Sequence, residues 1–365
     1  MKPIRICISP LDWGLGHATR CIPIIQALQS LGHTIYIGTE RHHEVILKAA
    51  FPNATFLHLR GYRVHYTKKG SLFFLNILLQ GPKILYSAIY EYWWLKKMQR
   101  VHHFDLIIAD NRVGFFHKKV ASVFITHQLR LIMPYQWATW LFQKMQYLWL
   151  NNFNACWVPD IEGPDNLSGT LANPKQKPSI PLWYMGCLSR LYTSVEKTND
   201  FDNTNPISFL GIVSGPEPQR TLLENILWKE GNQINKKFVV VAGLPLHKNY
   251  HNESANGTLY NHLNGPALAQ QIQRAEYIVC RGGYTSLMEL IPFGKKLIFI
   301  PTPGQTEQEY LGALWQKNKW ALCYNQASFV LATAIKEAEQ LDFVAPPFKP
   351  LSTAALHVAL KQLNL

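Results

Sequence analysis

Short apolar runs recur along the chain at intervals that leave room for one helix between them. In the first half they are IRICIS (4–9), HTIYIGT (33–39), ATFLHL (54–59), FDLIIAD (104–110), SVFITHQ (122–128) and ACWVPD (155–160). Each is rich in β-branched or aromatic residues and bounded by turn residues, the pattern of a buried strand. Helix-like stretches separate several of them, which predicts parallel strands joined by crossover helices. A second series follows: ISFLGIVSG (207–215), KFVVVAGL (237–244), AEYIVCRGG (275–283) and KLIFIPTPG (296–304). Between the two series, residues 188–206 are polar and close on Pro206, the composition of a linker. The pattern predicts an α/β chain of two doubly wound, Rossmann-like domains facing a cleft, residues 1–187 and 207–365. Ligands of such sheets bind beyond the carboxyl ends of the strands.

Length and composition agree with that division. A chain of 365 residues, 47% hydrophobic and 16% charged, can bury two substantial cores. An excess of 36 Lys+Arg over 23 Asp+Glu gives a formal charge of +13, which favours an anionic partner. No recognition-helix motif or RNP-like strand accompanies that charge, which sets nucleic acid aside. The six cysteines are scattered and form no CxxC, as expected of reduced thiols in a cytoplasmic protein rather than a zinc site or disulfide framework. Asp12 and the glycine turn interrupt the first apolar run too early for a signal peptide.

Candidate chemistry gathers at strand ends. After the first strand, Gly14-Leu15-Gly16-His17 places two glycines where the backbone turns sharply and a ligand can approach. A histidine there can act as a general base near neutral pH, or serve only as a hydrogen-bonded turn residue. Arg20, three residues on, reads either as positive charge beside a leaving diphosphate or as a surface salt bridge. In the second half, Arg281-Gly282-Gly283 ends a strand and Tyr284–Leu290 can open a helix whose free N–H groups suit a diphosphate. Glu289 on that helix can accept two ribose hydroxyls, or simply favour the helix. Gln305, Glu307, Gln308 and Glu309 follow the turn Pro301-Thr302-Pro303-Gly304 and can read sugar hydroxyls, or form a solvated helix start.

The pair GLGHATR and RGGYTSLMEL with FGKKLIFIPTPGQTEQEY resembles the GT-B glycosyltransferases, specifically the family 28-like enzymes related to the peptidoglycan GlcNAc-transferase. The resemblance implies a nucleotide-sugar glycosyltransferase with His17 as base and Asp110, ending FDLIIAD, orienting it. It implies donor contacts from Gly14, Gly16, Ser214, Gly215, Arg281, Gly283, Ser286, Glu289, Gln308 and Glu309. The expected donor is a UDP-sugar of the GlcNAc type acting as co-substrate. No cofactor and no metal is expected, since an arginine and a helix N-terminus can neutralise the leaving group. Attack from the face opposite the nucleotide would invert the anomeric centre. Gly282, Tyr284 and Gly312 depart from the family's pattern. GHATR also resembles the turn of GT-B-like UDP-sugar hydrolases, so activation of water by the same histidine is the alternative. A sugar-nucleotide-binding scaffold without activity is the third reading, disfavoured by the joint presence of His17, Asp110 and Glu289.

Two aromatic stretches complete the picture, SLFFLNILLQGPKILYSAIYEYWWLKKM (71–98) and LRLIMPYQWATWLFQKMQYLW (129–149). Gly81-Pro82, Lys83 and Glu91 break the first as a membrane span, and Arg130, Pro134 and Lys144 the second. Most of these side chains are expected to pack in the first domain. The remaining Trp, Tyr and Lys residues, with the basic balance, suit an anionic membrane surface and a sugar or lipid-linked acceptor, on the inner face of the plasma membrane.

Overall fold

The computed structural model describes residues 2–64, 76, 78–192, 205–246 and 251–365. These divide into two compact units, the first comprising 2–64, 78–188 and 347–365 and the second 76, 189–192, 205–246 and 251–346. Most of the expected linker, residues 193–204, lies outside the described residues, as do residues 71–75 and 77 of the first aromatic stretch.

The first unit is built on a seven-stranded parallel sheet among the described residues: β1 (Arg5–Pro10), β2 (Thr34–Thr39), β3 (Thr55–His58), β4 (Leu106–Asp110), β5 (Ala121–Ile125), β6 (Ala155–Val158) and β7 (Leu182–Tyr184). Their order is β3-β2-β1-β4-β5-β6-β7. Helices α1 (Gly16–Ser30), α2 (Arg41–Ala50), α3 (Gly81–His102) and α4 (Gln136–Leu150) belong to this unit. All five residues of β4 are buried, as expected of a central strand covered on both faces. Phe104, Phe115, Phe124 and Phe153 lie in one core cluster of this unit.

The second unit repeats the plan with strands β8 (Ile207–Ile212), β9 (Phe238–Val241), β10 (His251–Glu253), β11 (Gly257–Tyr260), β12 (Ala275–Cys280), β13 (Lys296–Phe299) and β14 (Leu322–Cys323). The order is β10-β11-β9-β8-β12-β13-β14, parallel except for the β10–β11 pair. Its helices are α5 (Gln219–Gly231), α6 (Gly265–Arg274), α7 (Tyr284–Leu290), α8 (Thr306–Lys317) and α9 (Leu331–Gln340). Phe209, Phe238, Leu227 and Tyr277 lie in its core.

The last helix, α10 (Thr353–Gln362), belongs to the first unit, although the sequence pattern places it with the second domain. Leu356, Ala359 and Leu360 are buried, and the α10 helix touches α1. The returning chain is fastened at Cys187, whose N–H donates to the Lys349 carbonyl at 2.6 Å and whose carbonyl accepts from Leu351 N–H at 3.2 Å. The sheet pattern ends before this segment, so alternation alone could not assign it.

Candidate functional site

In each sheet the strand order reverses beside the central strand, the place where a doubly wound sheet opens a crevice at its carboxyl edge. In the first unit this lies between β1 and β4, where Pro10 is in register with Asp110. The turn after β1 therefore sits over the end of β4, and His17 falls there because α1 begins at Gly16. His17, Arg20 and Cys21 are spaced i, i+3, i+4 and share a helix face. That face meets Asp110.

Asp110 is completely buried. His17 Nδ1 lies 3.0 Å from its Oδ2, Arg20 Nε donates to both carboxylate oxygens at 3.0 Å, and Arg20 Nη2 also reaches Oδ1. The Cys21 thiol donates to Oδ2 at 3.7 Å. Arg20 Nη2 is also 2.9 Å from His17 Nδ1, but a nitrogen that donates to Asp110 cannot accept from arginine. The carboxylate is the stronger acceptor, so Nδ1 carries the proton and Nε2 keeps its lone pair. Burial pushes the Asp110 carboxyl up, and the Arg20 charge and His17 outweigh it and hold it at about 2. Burial, then the Arg20 charge, push the His17 imidazole below its ordinary value, while Asp110 opposes them. His17 is thus neutral at pH 7 and able to accept a proton.

Arg20 is neither a surface salt bridge nor a solvent-facing cation: it is 2% exposed and bound to the buried carboxylate. Sequence reasoning missed this because the acceptor lies ninety residues away on another strand. Two further histidines escaped it. His43 on α2 donates from Nε2 to the Gly14 carbonyl at 2.8 Å, fixing a turn whose Gly14 φ of +80° favours glycine. Burial pushes its pKa down to about 4. His127, just past β5, is 5% exposed. Its place in SVFITHQ, at a predicted strand end, was the available signal.

In the second unit the reversal lies between β8 and β12, with Ile212 in register with Cys280. Ser214 and Gly215 follow β8, and Gly215 holds φ +103° with open space where a side chain would stand. Gly283 caps α7, and Ser286, on its first turn, is half-buried. Glu289 lies on the same helix and is ion-paired: Arg190 Nε donates to its Oε1 at 2.8 Å. Gln308 Oε1 accepts from Thr302 N–H at 2.8 Å, and Glu309 Oε1 from Gly304 N–H at 2.9 Å, so both brace the Pro301–Gly304 turn. A side chain at Gly312 would fall 2.5 Å from Cys323 Sγ, which accounts for glycine there.

Arg281 stands apart from its expected place. It is 1% exposed, behind the Gly282–Gly283 turn rather than on its surface. Its Nη1 donates to the Ile300 and Pro301 carbonyls at 2.9 and 3.2 Å, and its Nη2 to the Gln219 carbonyl at 2.6 Å. Among the described residues, no group of three or more His, Cys, Asp or Glu side chains could hold a metal ion.

Residues 220–342 match the model of the glycosyltransferase family 28 C-terminal domain. No curated protein matches the chain. Among solved structures, MurG of Acinetobacter baumannii is similar at 13% identity and TM-score 0.54, with 99% of each chain covered. The spinosyn rhamnosyltransferase SpnG, complexed with thymidine diphosphate, is 12% identical with TM-score 0.62, covering 98% of this chain and all of its own. A UDP-N-acetylglucosamine 2-epimerase from Listeria monocytogenes, described as putative, is 10% identical with TM-score 0.64, covering 99% of this chain and 96% of its own. The fold is GT-B along its whole length.

Proposed function

We propose that this GT-B chain, a nucleotide-sugar-dependent glycosyltransferase with a family 28 C-terminal domain, moves a GlcNAc-type hexose from a UDP-sugar to an acceptor hydroxyl with inversion. The observation that carries the reading is His17 Nδ1 lying 3.0 Å from the buried carboxylate of Asp110 at a sheet's switch point. The fold alone does not choose the reaction. The family 28 match and this pair favour transfer, and nothing here favours the hydrolase alternative.

In the proposed step His17 Nε2 takes the proton of the acceptor hydroxyl while the acceptor oxygen bonds to the anomeric carbon. The bond from that carbon to the diphosphate breaks on the opposite face, and UDP leaves with the electron pair. Asp110 stabilises the imidazolium that results. Gly14 and Gly16 let the reactants approach the backbone. Ser214, Gly215, Gly283 and Ser286 line the diphosphate, Glu289 takes the ribose hydroxyls, and Gln308 and Glu309 read the sugar.

A lipid-linked acceptor is supported by the outward faces of α3 and α4. Tyr86, Ile89 and Trp93 follow helical spacing on α3, and Trp137, Trp140 and Leu148 on α4, all more than half exposed. Lys96 lies 4.8 Å over Trp93 and Lys144 3.9 Å over Trp140, so cations flank the apolar stripes. No helix among the described residues is long and apolar enough to cross a membrane. A peripheral hold on anionic lipid fits these faces. The test is nucleotide release from a panel of UDP-sugars, with and without membrane lipid extract. Release that requires extract supports the reading, and no release from any UDP-sugar refutes it.

A further inference from the structure

Four arginines of the described chain are buried: Arg20, Arg112, Arg220 and Arg281. Three of them face carboxylates. Arg20 is bound to Asp110, Arg112 to Glu91 at 2.5 Å, and Arg220 to Glu217 at 2.5 Å and to Glu224. Among the described residues Arg281 makes no ion pair, and its donors meet only main-chain carbonyls. Its Nε is buried without a partner. A buried guanidinium costs several kcal/mol in solvation unless a negative charge answers it. Carbonyl dipoles answer only part of that cost.

The three carbonyls come from two separate segments, and Arg281 itself from a third. Gln219 opens α5 after the Ser214–Gly215 loop, Ile300 and Pro301 lie just past β13, and Arg281 itself precedes the Gly282–Gly283 turn. One side chain thus ties together the carboxyl-end loops of β8, β12 and β13. These loops carry Ser214, Gly215 and Gly283, and the last of them leads into α8, where Gln308 accepts from Thr302 N–H.

We propose that Arg281 is a positioning residue that holds these loops and leaves one uncompensated positive charge beneath them, which a bound diphosphate completes without touching it. The proposal rests on the nucleotide-sugar reading for the identity of its ligand, and the anion chemistry itself is a pyrophosphate group. It differs from direct contact, because the guanidinium is closed off from solvent and its Nη atoms are already engaged. It also differs from a purely structural tie, which would raise or lower the affinity of nucleoside and nucleotide together.

Calorimetry with UDP, uridine and inorganic pyrophosphate separates these cases on wild-type protein, Arg281→Met and Arg281→Lys. The ratio of UDP to uridine affinity should fall by about tenfold or more in Arg281→Met, the scale of one unit charge acting over several ångströms of protein. Pyrophosphate affinity should fall with it, and Arg281→Lys should keep most of both. An unchanged ratio in Arg281→Met overturns the proposal, and so does wild-type protein that does not bind pyrophosphate. Should Arg281→Met not fold, salt decides on the wild type. A buried charge is screened weakly, so the ratio should change little between low salt and about 1 M, whereas collapse of the ratio would assign it to exposed cations. Wild-type protein that ignores UDP but binds pyrophosphate in an Arg281-dependent way would sink the nucleotide reading and leave the inference standing.

Discussion

Acid should open the first unit through His43. The ring is 1% exposed and gives its Nε2 proton to the Gly14 carbonyl, so further protonation falls on a buried Nδ1. Its pKa drops from 6.5 to about 4 on folding. The unfolded chain therefore binds the proton first, and the neutral ring's contribution is complete above pH 6.5 and is lost as pH falls from there towards 4. The full drop corresponds to about 3 kcal/mol, and about 2.5 kcal/mol of it is lost between pH 7 and about pH 4.5. Because two units can unfold separately, the right observable is the opening free energy of β1 and β4 amides by hydrogen exchange. His43→Gln keeps a donor for Gly14 and removes the titration. Its β1 amides should lose about 2.5 kcal/mol less than wild type on acidification. Equal losses in the two proteins would refute the reasoning, since the other depressed histidines, His17 among them, titrate in both.

His17→Ala should lower turnover about 10²- to 10⁴-fold while UDP affinity stays near normal, and a normal rate per folded molecule would end base catalysis by this residue. Asp110→Asn should cost about 3–5 kcal/mol in thermal or denaturant unfolding of the first unit, because Arg20 would remain buried without its carboxylate. The double variant Arg20→Met/Asp110→Asn should be more stable than Asp110→Asn alone, and failure to recover would show that the cost lies elsewhere. Glu289→Ala should weaken UDP by roughly 1–3 kcal/mol in calorimetry, and unchanged affinity removes it from the ribose site. Sedimentation with anionic vesicles should occur at low salt and fade as salt rises, because screening shortens electrostatic reach to about 8 Å at physiological ionic strength. No sedimentation at low salt would favour a soluble acceptor.

The central strands were legible because runs such as FDLIIAD and AEYIVC are buried on both faces and carry no competing period. Four strands were not: β7 and β10 have three residues each, β14 two, and β11 is only GTLY. Such short runs gain their hydrogen bonds from neighbours already in place, and leave little pattern of their own. His17 and Asp110 were legible as strand-end residues, and the contact between them is a consequence of β1–β4 register. Burial of charge was not legible. Arg20, Arg112 and Arg281 look like surface residues in a string of letters, and only the fold brings Asp110, Glu91 and main-chain carbonyls of two separate segments to them.

The return of the chain to the first unit has a consequence for how the protein is made. Helix α10 packs against α1, more than three hundred positions earlier, and the bridge at Cys187 pairs with Pro350. During synthesis the strands of the second unit, from β8 to β14, are all available before residues 353–362 leave the ribosome. The second unit can therefore finish first, while the first waits with the seat of Leu356 and Leu360 uncovered. Contacts of such long sequence separation slow folding, because a large loop must close before they form. Supplying residues 347–365 as a separate peptide to a chain that ends at 346 should speed recovery of the β1–α1 amides from exchange, the later-made piece completing the earlier one.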